Sequence, residues 1–113
     1  MASYTVKRRR ERFTDAARGL DFELVEAGGK NGLEIAKRII DAQAAGKGDR
    51  IEGGPLLDLF AFVLSVSIVD DSGTCPLDSD DGRREIASWP PLVLMAAGQV
   101  AMNVNGAGDP AKN

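Results

Sequence analysis

Two acidic clusters, Asp70–Asp71 and Asp78 with Asp80 and Asp81, are the residues of this sequence best suited to chemistry. Carboxylates so placed could hold a calcium ion or share acid–base work. An EF-hand loop needs acidic residues at its first, third and fifth positions, Gly at the sixth and Glu at the twelfth. With Gly82 at the sixth position Leu77 falls at the first, and with Gly73 there Ile68 does. Both registers fail. The clusters therefore read as turn and helix-capping residues, with Ser79 or Asp80 as the cap of a short helix.

The sequence has no His, so the commonest general base and the commonest metal ligand are both missing. Ser-His-Asp and Cys-His nucleophile systems are ruled out. The single thiol, Cys75, cannot close a Cys/His zinc site, and its acidic neighbourhood disfavours the thiolate. A lone cysteine fits a reducing, cytoplasmic setting. The glycine stretches Gly28–Gly32 and Gly46–Gly48 lack P-loop spacing and read as turns. The basic run Lys7–Arg8–Arg9–Arg10 with Arg12 could grip phosphates, but only Tyr4 and Phe13 flank it as stacking platforms. It reads as a solvated arm, and nucleic acid is disfavoured. No catalytic, metal-binding or cofactor-binding residue is assigned, and the chain reads as non-enzymatic.

The elements that would position these residues must come from 113 residues, one domain's worth, of which 43% are hydrophobic and 5% aromatic. Residues 1–50 hold 11 Lys/Arg against 8 Asp/Glu, a net +3, and residues 51–113 hold 3 against 9, a net −6. That asymmetry favours protein contacts or head-to-tail self-association. The N-terminal segment is charged with no apolar stretch after it, so it is not read as a secretory leader. The most apolar stretch, Pro55 to Val69, is shorter than the about 20 residues a spanning helix needs.

The expected fold is mainly α: a small single-domain helical protein with room for a short β element near the N-terminus. Residues 1–13 form a basic arm, in which Tyr4–Thr5–Val6 could start a strand. Leu20, Phe22 and Leu24 alternate with Asp21 and Glu23 as in a strand, yet the residue types also suit a helix, so residues 11–27 stay ambiguous with a lean to helix. Asn31 and Glu34 resemble a capping box opening an amphipathic helix that ends at Gly46, its buried stripe running through Leu33, Ala36, Ile39, Ile40 and Gln43. Residues 46–54 form a flexible loop. A helix then starts at Pro55, apolar nearly all round, and its end, LSVSIV, alternates as a strand would. A short helix follows through Ile86 and Trp89. Pro90–Pro91 opens a last helix burying Leu92, Met95, Ala96, Gln99, Val100 and Met102 and stopping at Gly106, with a mobile tail over 107–113.

The string from Ser65 to Gly106 resembles the C-terminal region of tail assembly chaperones of long-tailed phages and prophages. Val69, Asp70, Gly73, Pro76 and Leu77 match the family's turn. Asp80, Ile86, Trp89 and Pro90 match its short helix, and Ala96, Ala97, Asn105 and Gly106 its last helix. The likeness covers about residues 56–106. Gly82 inside a helix start and Trp89 in place of Leu depart from the pattern. The resemblance implies a non-enzymatic protein of the bacterial host cytoplasm that binds the tape-measure protein and tail-tube subunits during tail morphogenesis. A structural tail or head-completion component and a small nucleic-acid-binding regulator are the alternatives. Leu57, Phe60, Leu64, Trp89, Leu92 and Met95 are the candidate protein-interaction residues, and a homo-oligomer is a further candidate assembly.

Overall fold

A computed structural model describes residues 2–45 and 53–107. The chain forms strand β1 (Arg10–Asp15), strand β2 (Leu20–Val25), helix α1 (Gly29–Ala45), helix α2 (Gly53–Ser67), strand β3 (Ile68–Val69), helix α3 (Asp80–Ala87) and helix α4 (Pro91–Val104). Helices dominate, but the β element is larger than expected: an antiparallel three-stranded sheet in the order β1-β2-β3. The fold is therefore mixed rather than mainly α. The expected loop at 46–54 and tail at 107–113 lie outside the described residues, except Gly53 and Gly54, which open α2, and Ala107.

The lean to helix over residues 11–27 is corrected, because the period of two wins over propensity. Leu20, Phe22 and Leu24 share one face of β2: Leu24 is fully buried, Phe22 packs against the core, and Leu20 lies half-buried at its edge. Asp21 and Glu23 face outward, where Arg12 forks onto Asp21 at 2.7 and 3.0 Å and Arg10 pairs with Glu23. The connection between β1 and β2 is one 3-10 turn, Ala16–Arg18, closed by Gly19 at φ 71°. β1 takes in Arg10 to Phe13, so the basic arm is shorter than 1–13, and no strand forms at Tyr4–Val6. Cross-strand pairing and stacking of Phe13 on Phe22, with ring centroids 5.4 Å apart, hold those residues to the sheet.

α2 is the centre of the molecule. Ten of its fifteen residues are buried, and α1, α3, α4 and β2 all pack on it. Its two buried hydroxyls are satisfied: Ser65 donates to the Phe62 carbonyl at 2.6 Å, and Ser67 accepts from Asn105 Nδ2 at 3.0 Å. Two cations approach the ring of Phe62, Arg38 of α1 at 3.9 Å from its centroid and Arg83 of α3 at 5.8 Å. The helix runs through Ser67, so the alternating Leu64 to Ser67 is helical, and only Ile68 and Val69 pair with β2 as strand.

α4 packs directly onto α2. A Cβ placed on Gly98 would stand 2.4 Å from Cγ of Phe60, so a side chain there cannot coexist with that ring. At the far end of α4, Asn105 ties three elements together. Its Nδ2 donates to Ser67 Oγ and to the Ala101 carbonyl, and its Oδ1 accepts the Ala27 amide at 2.9 Å. Pro91 opens α4 as expected. The buried face does not follow the expected stripe: Val93, Leu94, Ala97, Gly98, Ala101, Met102 and Val104 turn inward, while Leu92, Met95 and Ala96 are exposed.

In α1 the helix begins at Gly29, so Asn31 is not its cap; Asn31 Nδ2 donates to Asp78 and Glu34 pairs with Arg38. Ile35, Ile39 and Ala42 face the core, and Leu33, Ala36 and Ile40 do not.

Two substitutions test this packing. Gly98→Ala should lower unfolding free energy by about 1–3 kcal/mol through overpacking, even though Ala gains about 1 kcal/mol in helix propensity over Gly. A urea midpoint at or above that of the parent chain would show that Phe60 and α4 do not meet as described. Asn105→Ala strands the Ala27 amide and removes Ser67's donor, and should cost about 1–3 kcal/mol. Asn105→Asp, which keeps only the acceptor, should recover part of that loss in the same titration, and no difference between the two variants would refute the three-way tie.

Candidate protein-interaction surfaces

Of the residues that first invite chemistry, Asp70, Asp78, Asp80 and Asp81 are engaged in local contacts. Asp70 closes the turn after β3: its carboxylate accepts from the Ser72 and Thr74 amides at 3.0 Å each and from their hydroxyls at 2.8 and 2.7 Å. Hydrogen bonds from Thr74 and then Ser72 pull its pKa down to about 2. A carboxylate so fully satisfied is held ionised and is a poor general base. Ser79 caps α3, its Oγ accepting the Gly82 amide at 2.9 Å, with Asp80 and Asp81 in the first turn. Gly82 has a steric reason: a Cβ there would sit 2.2 Å from the Leu77 carbonyl oxygen. That contact explains the glycine inside a helix start.

Cys75 is half-buried and donates to the Val66 carbonyl at 3.4 Å. Burial, with Asp78 and Asp70 nearby, pushes its thiol pKa up, away from thiolate chemistry. Among the described residues no group of three or more His, Cys, Asp or Glu is arranged to hold a metal ion. No helix among them is long and apolar enough to cross a membrane.

The six candidate interaction residues separate by burial. Phe60 and Leu64 are core, at 2% and 0% exposure, so they are corrected out of any surface; every residue of their helix from Leu59 to Ser67 is buried. Leu57 is half-buried against the core cluster. Leu92 and Met95 are exposed at 78% and 42%, and with Ala96 they form a stripe on the side of α4 opposite its buried face. A second exposed stripe, Leu33 and Ile40 at 73% and 65%, runs along α1. Periodicity had assigned Leu33 and Ile40 to the core. The apolar residues of α1 span two neighbouring faces, and only the position of α2 decides which one is covered.

Trp89, just past α3, is half-buried. One side stacks in tilted geometry on Phe22, with centroids 6.0 Å apart, so Phe13, Phe22 and Trp89 form an aromatic row across the sheet. Trp89 also lines, with Phe22, a groove of about 590 Å³ between β2 and α3. Leu20, Phe22, Ile68, Pro76 and Leu77 make its floor and walls, and Asp81 and Glu85 stand at its acidic edge.

The basic run is divided. Arg10 and Arg12 are engaged with Glu23 and Asp21 on the outer face of the sheet, and the Asp21 carboxyl is held below the usual range by its Arg12 hydrogen bonds. Arg9 donates from its guanidinium to the Asn103 carbonyl and from its backbone amide to Glu26. Lys7 and Arg8 make no ion pair among the described residues. The exposed Tyr4 and Val6 precede them.

Asp70 predicts a pH signature. Its folded pKa of about 2 lies below the unfolded value near 3.9, so its stabilising contribution is present above about pH 4 and is lost as pH falls towards 2. Asp70→Asn should be less stable than the parent at neutral pH, and the gap should close across that window. Melting curves that stay equally separated from pH 6 down to 2 would show that the turn does not depend on the ionised group.

No family model, no curated protein and no solved structure matches this chain.

Proposed function

We propose that this chain is a non-enzymatic tail assembly chaperone of a phage or prophage, acting in the bacterial cytoplasm by holding the tape-measure protein and tail-tube subunits during tail morphogenesis. The observation that carries a binding role is the exposed Leu92–Met95–Ala96 stripe on α4, backed by Leu33 and Ile40 on α1. Large apolar side chains in helical register and open to solvent suit a partner helix laid along them. The tail-assembly part of the reading rests on the resemblance of residues 56–106, whose matched positions have clear structural work here. Asp70 and Gly73 make the turn, Pro90 precedes α4, and Asn105 and Gly106 close it.

A structural tail or head-completion component would use the same apolar stripes, but would remain in the finished particle. The nucleic-acid reading is weakened by geometry: Arg10 and Arg12 are neutralised by Glu23 and Asp21, leaving few free cations to release counterions from a phosphate backbone.

Leu92→Asp with Met95→Asp places charge on the stripe without touching the core. In co-expression with the tape-measure and tube proteins of the same phage or prophage, the parent chain should co-purify with them. The double variant should lose at least about tenfold in capture, equivalent to about 1.4 kcal/mol, with an unchanged melting temperature. Undiminished capture by the variant would remove α4 from the interface, and failure of the parent chain to bind either protein would end the chaperone reading.

A further inference from the structure

We infer that copies of this chain associate head to tail, the N-terminal arm of one copy lying in the groove between β2 and α3 of the next. The groove has an apolar floor that includes Phe22, Ile68, Leu77 and Trp89 and an acidic edge at Asp81 and Glu85. An occupant should therefore be a short extended segment with apolar side chains followed by cations. The arm has that make-up. Tyr4 and Val6 are 92% and 82% exposed, and at alternate positions of an extended chain they point the same way. Lys7 and Arg8 follow directly and have no ion pair among the described residues. On the groove side Glu85 also lacks an ion pair among the described residues, and Asp81 is held only by Arg84 one helical turn away, both of them exposed. Such a surface pair exchanges at little cost.

Topology directs the arm to a second copy. β1 starts at Arg10, opposite Val25, and runs towards the partner of Leu20. The residues before Arg10 thus leave the sheet from its Val25 end, where Lys7 and Arg8 lie beside Glu26 and Gly28. The groove opens beside Leu20, Phe22 and α3. To enter its own groove the arm would have to reverse along the length of β2, whereas a neighbouring copy can meet it end-on. The net charges of the two halves, +3 for residues 1–50 and −6 for residues 51–113, favour the same end-to-end order. Because arm and groove are different surfaces, each added copy leaves one of each free, and the contact propagates instead of closing as a symmetric dimer. A contact made by Tyr4 to Arg8 alone buries less than the about 1,200 Å² of a stable interface, so it is weak and salt-sensitive. It needs no other protein, so it stands or falls apart from the chaperone reading.

Sedimentation of the full-length chain tests it, with a groove variant, Asp81→Asn with Glu85→Gln, and an arm variant, Lys7→Glu with Arg8→Glu. At low salt the parent chain should grow in mass with concentration past the dimer and return to monomer at high salt. Each variant alone should stay monomeric. An equimolar mixture of the two should form dimers and no larger species, since only one competent arm meets one competent groove, and the emission of Trp89 should shift with it. A second arm variant, Tyr4→Ser with Val6→Ser, changes only exposed side chains, so it keeps the parent fold and should also be monomeric. A parent chain monomeric at every concentration would overturn the inference, as would a salt-insensitive symmetric dimer, variants that self-associate like the parent, or a mixture that stays monomeric.

Discussion

The fold depends on one constraint: from Leu59 onward α2 is apolar nearly all round and has to be covered nearly all round. Each fully buried Leu, Val or Phe on it contributes about 1.5–3 kcal/mol, and those side chains are withdrawn from water only if α1, α3, α4 and the sheet all close on the same helix. That demand explains features that look unrelated in sequence. Gly98 lets α4 approach until Phe60 fills the space a side chain would take. Arg38 and Arg83 lie over the ring of Phe62, where α1 and α3 flank the helix. Ser65 and Ser67 can sit at the centre because each hydroxyl has a partner.

Around that helix, the polar residues of the second half serve as fasteners. Asp70 builds the turn that leads out of β3, Ser79 starts α3, and Asn105 joins the ends of α2, α4 and β2. Each uses most of its hydrogen-bonding capacity on backbone or neighbouring side chains. Asp70 and Asn105 are thereby committed to the architecture, while Asp80 and Asp81 keep most of their side chains in solvent.

What the fold leaves over is surface. Once α2 is enclosed, α1 and α4 each retain apolar side chains on faces turned from it, and the groove beside Trp89 remains open between sheet and helix. The charges are sorted as well: cations gather at the N-terminal end and carboxylates around α3. Apolar strips and separated charge are the features on which the proposed assembly role and the proposed self-association both draw. They fit both an assembly factor and a chain that adds to copies of itself.

Much of this was legible in the residues alone. Local rules suffice for the turn at Asp70–Gly73, the cap at Ser79, the start of α4 at Pro91, the stop at Gly106 and the absence of a His-based active site, because each depends on a few neighbouring atoms. Three things were decided only by tertiary structure. β1 and β2 form because Leu20, Phe22 and Leu24 find a core to face, which intrinsic propensity cannot report. The buried faces of α1 and α4 were misassigned because their apolar residues span more than one face, and only the position of α2 selects among them. Gly82 and Gly98 are understood only from the atoms opposite them, a carbonyl and a ring brought near by packing. Short-range hydrogen bonding and steric preference travel with the sequence, while the choice of buried face and of close approach is made by whichever element packs against it.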